Sequence, residues 1–143
     1  MSIFMQIFLG SIVLGVCSLI HILILVWSTS LIKILHPRLT HYSPRIRLGL
    51  LLGKAFGFVV MSHSIQVWIW ALSFMAFSAI PTLGNAVYFS LVTYTALGYG
   101  DIILDEGFRI YAAMGAVTGL LNFGLSTAFL VGLFGRLLPR EVA

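Results

Sequence analysis

Residues 81–104 read PTLGNAVYFSLVTYTALGYGDIIL, and the fold turns on what this stretch does. Pro81, Thr82 and Gly84-Asn85 break the chain and open a new helix. The run from Leu83 to about Thr95 is apolar and aromatic with a few hydroxyls, and it is too short to cross a bilayer. It ends on Gly98-Tyr99-Gly100, which does not continue a helix. Non-helical backbone at membrane depth survives only where protein buries it or water bathes it. The stretch therefore predicts a re-entrant helix followed by a loop that lines a cavity.

The rest of the chain supplies the membrane. Of 143 residues, 60% are hydrophobic and 8% are charged, against about 25% charged in a soluble domain. Three segments reach the length of about 20 apolar residues that a span needs: about Ile3 to Ile34, Leu48 to Phe77 and Phe108 to Leu138. The start, MSIFMQIFLG, has no Lys or Arg before its apolar run and no small-residue cleavage site after it. It reads as a retained helix rather than a removed leader. The fold class expected is an all-α membrane protein with three transmembrane helices, a re-entrant helix and a loop. Residues 1–47 form a first helix with a basic loop, and residues 48–143 form the functional unit.

Charge orients the spans. Lys33, Arg38, Arg45, Arg47 and Lys54 fall in or beside the first connection, and Arg136 and Arg140 follow the third span. Asp101, Asp105 and Glu106 fall on the opposite side if all three spans cross. The excess of cations places the first connection and the C-terminus in the cytoplasm and the N-terminus outside. The net charge of +4 thus reflects topology and lipid headgroups rather than nucleic acid, and Lys33, Arg38, Arg45 and Arg47 are the candidates for anionic-lipid contact. Cys17 is the single cysteine, so no disulfide or metal-binding cysteine pair forms within one chain.

The loop has a chemistry of its own. Gly98 and Gly100 reach backbone angles closed to other residues, so successive carbonyls can face one axis. Several copies around that axis give stacked rings of oxygens that replace the water shell of a cation. The C-terminal end of the short helix carries roughly −0.5 charge and favours a cation beside it.

The segment VTYTALGYGD, residues 92–101, resembles the pore signature of the potassium channel family, whose filter usually reads TVGYG. The resemblance runs from about Leu48 to Leu138 and is closest to small bacterial two-helix pores, with one extra helix in front. It implies a homotetramer that passes K⁺ without a cofactor. The filter would be Thr95, Ala96, Leu97, Gly98, Tyr99 and Gly100, with K⁺ held by the carbonyls of Ala96, Leu97, Gly98 and Tyr99. Asp101 would sit at the outer mouth, and Tyr88 and Phe89 would form an aromatic cuff around Tyr99. The chain departs from the pattern at Ala96, where the family's filter threonine stands, and at Val92, where some members place a Glu that pairs with the Asp. Ala96 leaves a weakly selective cation channel open as a second reading, and a non-conducting membrane interaction protein that keeps the pore fold stands beside both as a third. The small size and the lack of a targeting signal point to a bacterial inner membrane.

Other residues stand out by depth. Asn122, in the third span, either lines a cavity or hydrogen-bonds another helix. Gly119 and Gly124 are hinge candidates, while Gly115-xxx-Gly119 and Gly49, Gly53 and Gly57 fit close helix packing. His21 and His63 lie within spans, where an ionisable group either senses pH or stays neutral and bonds a neighbouring helix; the second is expected of both. Trp68 and Trp70 are expected to pack inside. No span carries a regular arginine series, so the first helix is not a voltage sensor of the usual kind. With eight residues after Gly135, any gate is expected in the filter, the third span or another protein. No enzyme constellation is present.

Overall fold

The computed structural model describes residues 1–138; Arg140, counted above among the cations, lies outside them. Four helices make up the fold: α1 (Ile3–Arg38), α2 (Pro44–Ala76), α3 (Leu83–Tyr94) and α4 (Glu106–Leu137). No strand occurs among the described residues. α1, α2 and α4 are each long and apolar enough to cross a membrane. At 1.5 Å per residue each is about 50 Å long, well over the ~30 Å hydrocarbon layer, so they tilt or project beyond it. The protein is an all-α membrane protein.

The helix ends follow local chemistry. Ser2 caps α1, its hydroxyl accepting from the Met5 N–H at 3.3 Å. α1 runs four residues past the expected Ile34 and carries Pro37 in its last turn. α2 begins at Pro44, whose fixed φ and missing N–H suit the first helical position. The basic connection is therefore shorter than the sequence predicts, because both prolines sit inside helices.

The three long helices run up, down and up. At one end, buried Gln6 of α1 reaches the first turn of α4: its Oε1 accepts from the N–H groups of Ile110 at 3.0 Å and Tyr111 at 3.3 Å. At the other end, His36, Arg45, Arg47 and Leu137 meet around one cleft. Lys33 and Arg136 line the neighbouring cleft. Cations other than Arg109 thus gather at one end, and Asp101, Asp105 and Glu106 lie toward the other, where Arg109 sits 3.7 Å from Glu106.

Two apolar clusters hold the helices. Trp70, Phe74, Phe89, Tyr94 and Tyr111 join α2, α3 and α4 in one of them, with Cys17 of α1. Phe74 meets Phe89 and Tyr111 edge-on, at ring separations of 5.2 and 5.7 Å. Ile32, Leu51 and Ala55, with Leu133 and Leu137, form the second cluster near the cationic end. Trp70 is buried as expected; Trp68, half exposed, faces outward instead, because the two positions lie on different sides of α2.

α3 enters the bundle and does not leave on the far side. Ile80 before it and Leu104 after it pack in the same cluster, so the chain goes in and returns at one face. The C-terminus of α3 reaches the middle of α4, where a Cβ on Gly119 would collide with the Tyr94 carbonyl oxygen. Only glycine allows this approach of backbone to backbone.

Candidate functional site

The loop after α3 begins with a helix stop of defined geometry. The N–H of Leu97 donates to the Val92 carbonyl at 3.0 Å, and that of Ala96 to the Thr93 carbonyl at 2.9 Å. These two bonds form a Schellman motif, which requires a left-handed residue just past the cap. That residue is Ala96, with φ of 57°. Gly98 and Gly100 are left-handed as well, at 60° and 76°. Every second residue from 96 to 100 therefore turns the opposite way from its neighbours. An L-residue held left-handed costs roughly 1–2 kcal/mol, so Ala96 is the one strained member of the series.

The loop is open on one side within a single chain. Leu97 is 55% exposed and Tyr99 67% exposed. Beside it, the Tyr88 hydroxyl donates to an Asp101 carboxylate oxygen at 2.6 Å. This bond holds the Asp101 carboxyl below the ordinary carboxylate range. A tyrosine thus partners Asp101 where the sequence, finding Val92 in place of a Glu, leaves it alone. Val92 itself is buried.

The two cuff candidates part company. Tyr88 is turned to Asp101, and Phe89 packs inward on Phe74, so within one chain neither encloses Tyr99. Their faces differ because consecutive residues on a helix point about 100° apart. Gly119 serves close packing, as does Gly115, whose added Cβ would touch Thr93 and Trp70. Gly124 has open space around it, as have Gly49, Gly53 and Gly57.

Behind the end of α3 lies a polar cluster, buried in the bundle except at His63, which is half-buried. Asn122 is 2% exposed and donates to Gln66 Oε1 at 2.6 Å, so its geometry is that of the interhelical bond rather than the cavity wall. The Tyr94 hydroxyl donates to the same oxygen at 2.9 Å. His63 Nδ1 lies 2.8 Å from the Tyr94 hydroxyl, and its Nε2 lies 2.9 Å from Ser126 Oγ. Ser126 Oγ is also 3.0 Å from His21 Nε2. His21 Nδ1 meets Ser62 Oγ at 2.7 Å and Gln66 Nε2 at 3.2 Å. Both histidines bond neighbouring helices, as their depth in the spans predicts. Gln66, Ser62, Tyr94 and Ser126 escaped sequence reasoning. The signal available was Ser62-His63-x-x-Gln66 in an apolar span, matched by Asn122 and Ser126 one turn apart on α4.

Comparison with known proteins agrees with this architecture. A family model described as an ion channel matches residues 50–136, which take in α2 from its second turn, all of α3, the loop and nearly all of α4. No curated protein and no solved structure matches the chain. The match covers well over half of the sequence, and the chain belongs to this ion channel family.

Proposed function

We propose that the protein is one subunit of a homotetrameric, potassium-selective channel in which residues 96–100 form the ion filter. The observation that carries this reading is the alternation of left-handed φ at Ala96, Gly98 and Gly100. A backbone that alternates in hand turns its carbonyls toward one side, which is what a ring of cation ligands needs. One chain offers one such side, and four copies around an axis would close it into rings, with exposed Leu97 and Tyr99 then covered by neighbouring subunits. K⁺ would lie between the carbonyls of Ala96, Leu97, Gly98 and Tyr99 and pass down its gradient by displacement from site to site.

Asp101 would ring the outer mouth and concentrate cations. The acidic end of the bundle would face outward and the cationic end the cytoplasm, as in a bacterial inner membrane. There the cleft of about 310 Å³ lined by Arg45, Arg47, Leu48 and Leu51 suits the phosphate and chains of an anionic lipid; Lys33 lines the adjoining cleft, while Arg38 lines neither.

A second reading rests on Ala96. Without the threonine hydroxyl, the innermost site keeps only carbonyls, which favours a channel less strict toward Na⁺. Reversal potentials of the purified protein in bilayers, with K⁺ on one side and Na⁺ on the other, separate the two. A potential near the K⁺ equilibrium value supports selectivity; a potential near zero supports the second reading. Absence of Rb⁺ flux in liposomes that hold assembled protein would falsify both.

A further inference from the structure

The buried cluster behind α3 has a direction. Gln66 sets it, because Gln66 Nε2 faces the Ser62 carbonyl at 3.3 Å, which makes the other amide atom, Oε1, the acceptor. Tyr94 must then donate to Oε1, and its oxygen is left to accept from His63 Nδ1–H. His63 Nε2 is consequently bare and accepts from the Ser126 hydroxyl. Ser126 Oγ in turn accepts from His21 Nε2–H. His21 Nδ1 is bare, and it accepts from the Ser62 hydroxyl and from Gln66 Nε2–H, where the circle began. His21, Ser126, His63, Tyr94 and Gln66 form a closed ring in which every member donates to the next. The ring draws on all four helices and exists only with both imidazoles neutral and in these tautomers.

We infer that His21, His63 and Ser126 are positioning residues for the loop at 96–100, tying α1 to the end of α3 through a one-way hydrogen-bond ring that a single added proton breaks. This rests on the reading of that loop as the ion filter. Tyr94 is the last residue of α3, two residues before Ala96, so whatever holds its ring holds the start of the loop. An imidazolium has two donors and no acceptor. A proton on His63 Nε2 or His21 Nδ1 turns a required acceptor into a donor and leaves a cation among neutral groups. The titratable groups around the two imidazoles are each other, 5.0 Å apart between ring centres, Tyr94 from α3, and Cys17, one turn before His21 on α1. Ser62 and Gln66 face them from α2, and Ser126 from α4, none of them charged. No Asp or Glu among the described residues bonds to either ring, so nothing there balances the charge. The bundle relieves it by opening the ring to water, which frees Tyr94.

The test has two arms. Purified protein in liposomes is assayed for Rb⁺ flux from about pH 7.5 to about pH 4, which takes in the interval in which a free imidazole changes charge and runs below it. The expected result is a reversible loss of flux on acidification in the natural protein, and no such loss in the double variant His21→Asn/His63→Asn, in which neither position of the ring titrates. Unchanged natural flux, or an equal response in the variant, overturns the inference. The second arm needs no conduction. ¹⁵N spectra of the bilayer-embedded protein, with His36→Gln and His41→Gln so that the two buried rings alone report, should show hydrogen on Nε2 of His21 and on Nδ1 of His63. The Tyr94 Cζ signal should shift as either ring takes up a proton. Opposite tautomers, or a Tyr94 signal indifferent to acid, overturn the inference even where the protein carries no ions. A channel that fails to discriminate K⁺ from Na⁺ refutes the selectivity reading and leaves both arms readable.

Discussion

Gly119 of α4 and Tyr94 of α3 meet backbone against backbone, with no room for a Cβ between the helix and the Tyr94 carbonyl oxygen. The contact fixes how deep α3 penetrates, and it lies where the loop begins. Gly119→Ala must push α3 away, because the obstacle is backbone and does not rotate aside. The expected cost is about 1–3 kcal/mol, the usual range for overpacking, with loss of ion flux. Gly124→Ala, one turn on, meets nothing within 4 Å in the chain and should be tolerated there. Thermal unfolding in detergent and liposome flux measured on both variants check the contrast; equal behaviour would count against the close contact.

Halfway along α3, the Tyr88 hydroxyl keeps Asp101 ionised to lower pH than an ordinary carboxylate. The sign follows from linkage: a depressed folded-state pKa stabilises the protein above the unfolded value, and the benefit is lost as pH falls through the folded one. Tyr88→Phe removes the donor, so Asp101 should become protonated at a higher pH than in the natural protein. If Asp101 concentrates cations at the mouth, the acid fall-off of ion flux, read in the His21→Asn/His63→Asn background where the buried ring does not titrate, should move to higher pH when Tyr88→Phe is added. An unmoved midpoint would separate Asp101 from conduction.

Ala96 carries two demands at once: it ends α3 as the left-handed residue of a Schellman motif, and it is the first of the three left-handed positions in the loop. Glycine meets the conformational demand without strain, so Ala96→Gly should raise stability by up to about 1 kcal/mol. Threonine meets a different one. Ala96→Thr adds a hydroxyl at the innermost ion site but puts a β-branched residue where φ is positive. It should therefore raise the K⁺/Na⁺ permeability ratio and lower the unfolding midpoint. An unchanged permeability ratio would show that the hydroxyl contributes little to selectivity.

The spans and the short helix were legible because their causes are local. About twenty apolar residues make a span whatever surrounds them, and Gly98-Tyr99-Gly100 announces a break from helix by its own backbone freedom, although the stop itself falls earlier, at Ala96. The Tyr88–Asp101 bond was half legible, since the loop set Asp101 near the start of α3 while the residue that meets it depends on how the loop turns back. The hydrogen-bond ring was not legible as a ring. His21 and Ser126 are 105 residues apart, and their meeting depends on the rotation of α1 and α4 about their own axes. Which of the adjacent aromatics Tyr88 and Phe89 faces the core of the chain was illegible for the same reason: it is a matter of a turn of about 100°, and Phe74 decides it from another helix.

Asn122 separates a structural role from a conductive one. Its amide donates to Gln66 Oε1, an oxygen that also accepts from Tyr94, and it is buried within the chain. Asn122→Leu removes one of two donors to that oxygen and leaves the ring of five otherwise intact. Hydrogen bonds between membrane helices average about 0.6 kcal/mol and reach about 1.7, and the short 2.6 Å contact belongs toward the upper part of that range. A loss of about 1 kcal/mol in stability is therefore expected. Single-channel current at saturating K⁺ should stay as it is, because no ion passes the side chain. A residue on the cavity wall behaves the other way: exchange of an amide for an isobutyl group there alters the current by changing the water and the field the ion meets, and leaves helix packing nearly untouched. Unfolding and single-channel recordings on the one variant decide between the two, and a changed current with unchanged stability would place Asn122 on the ion path.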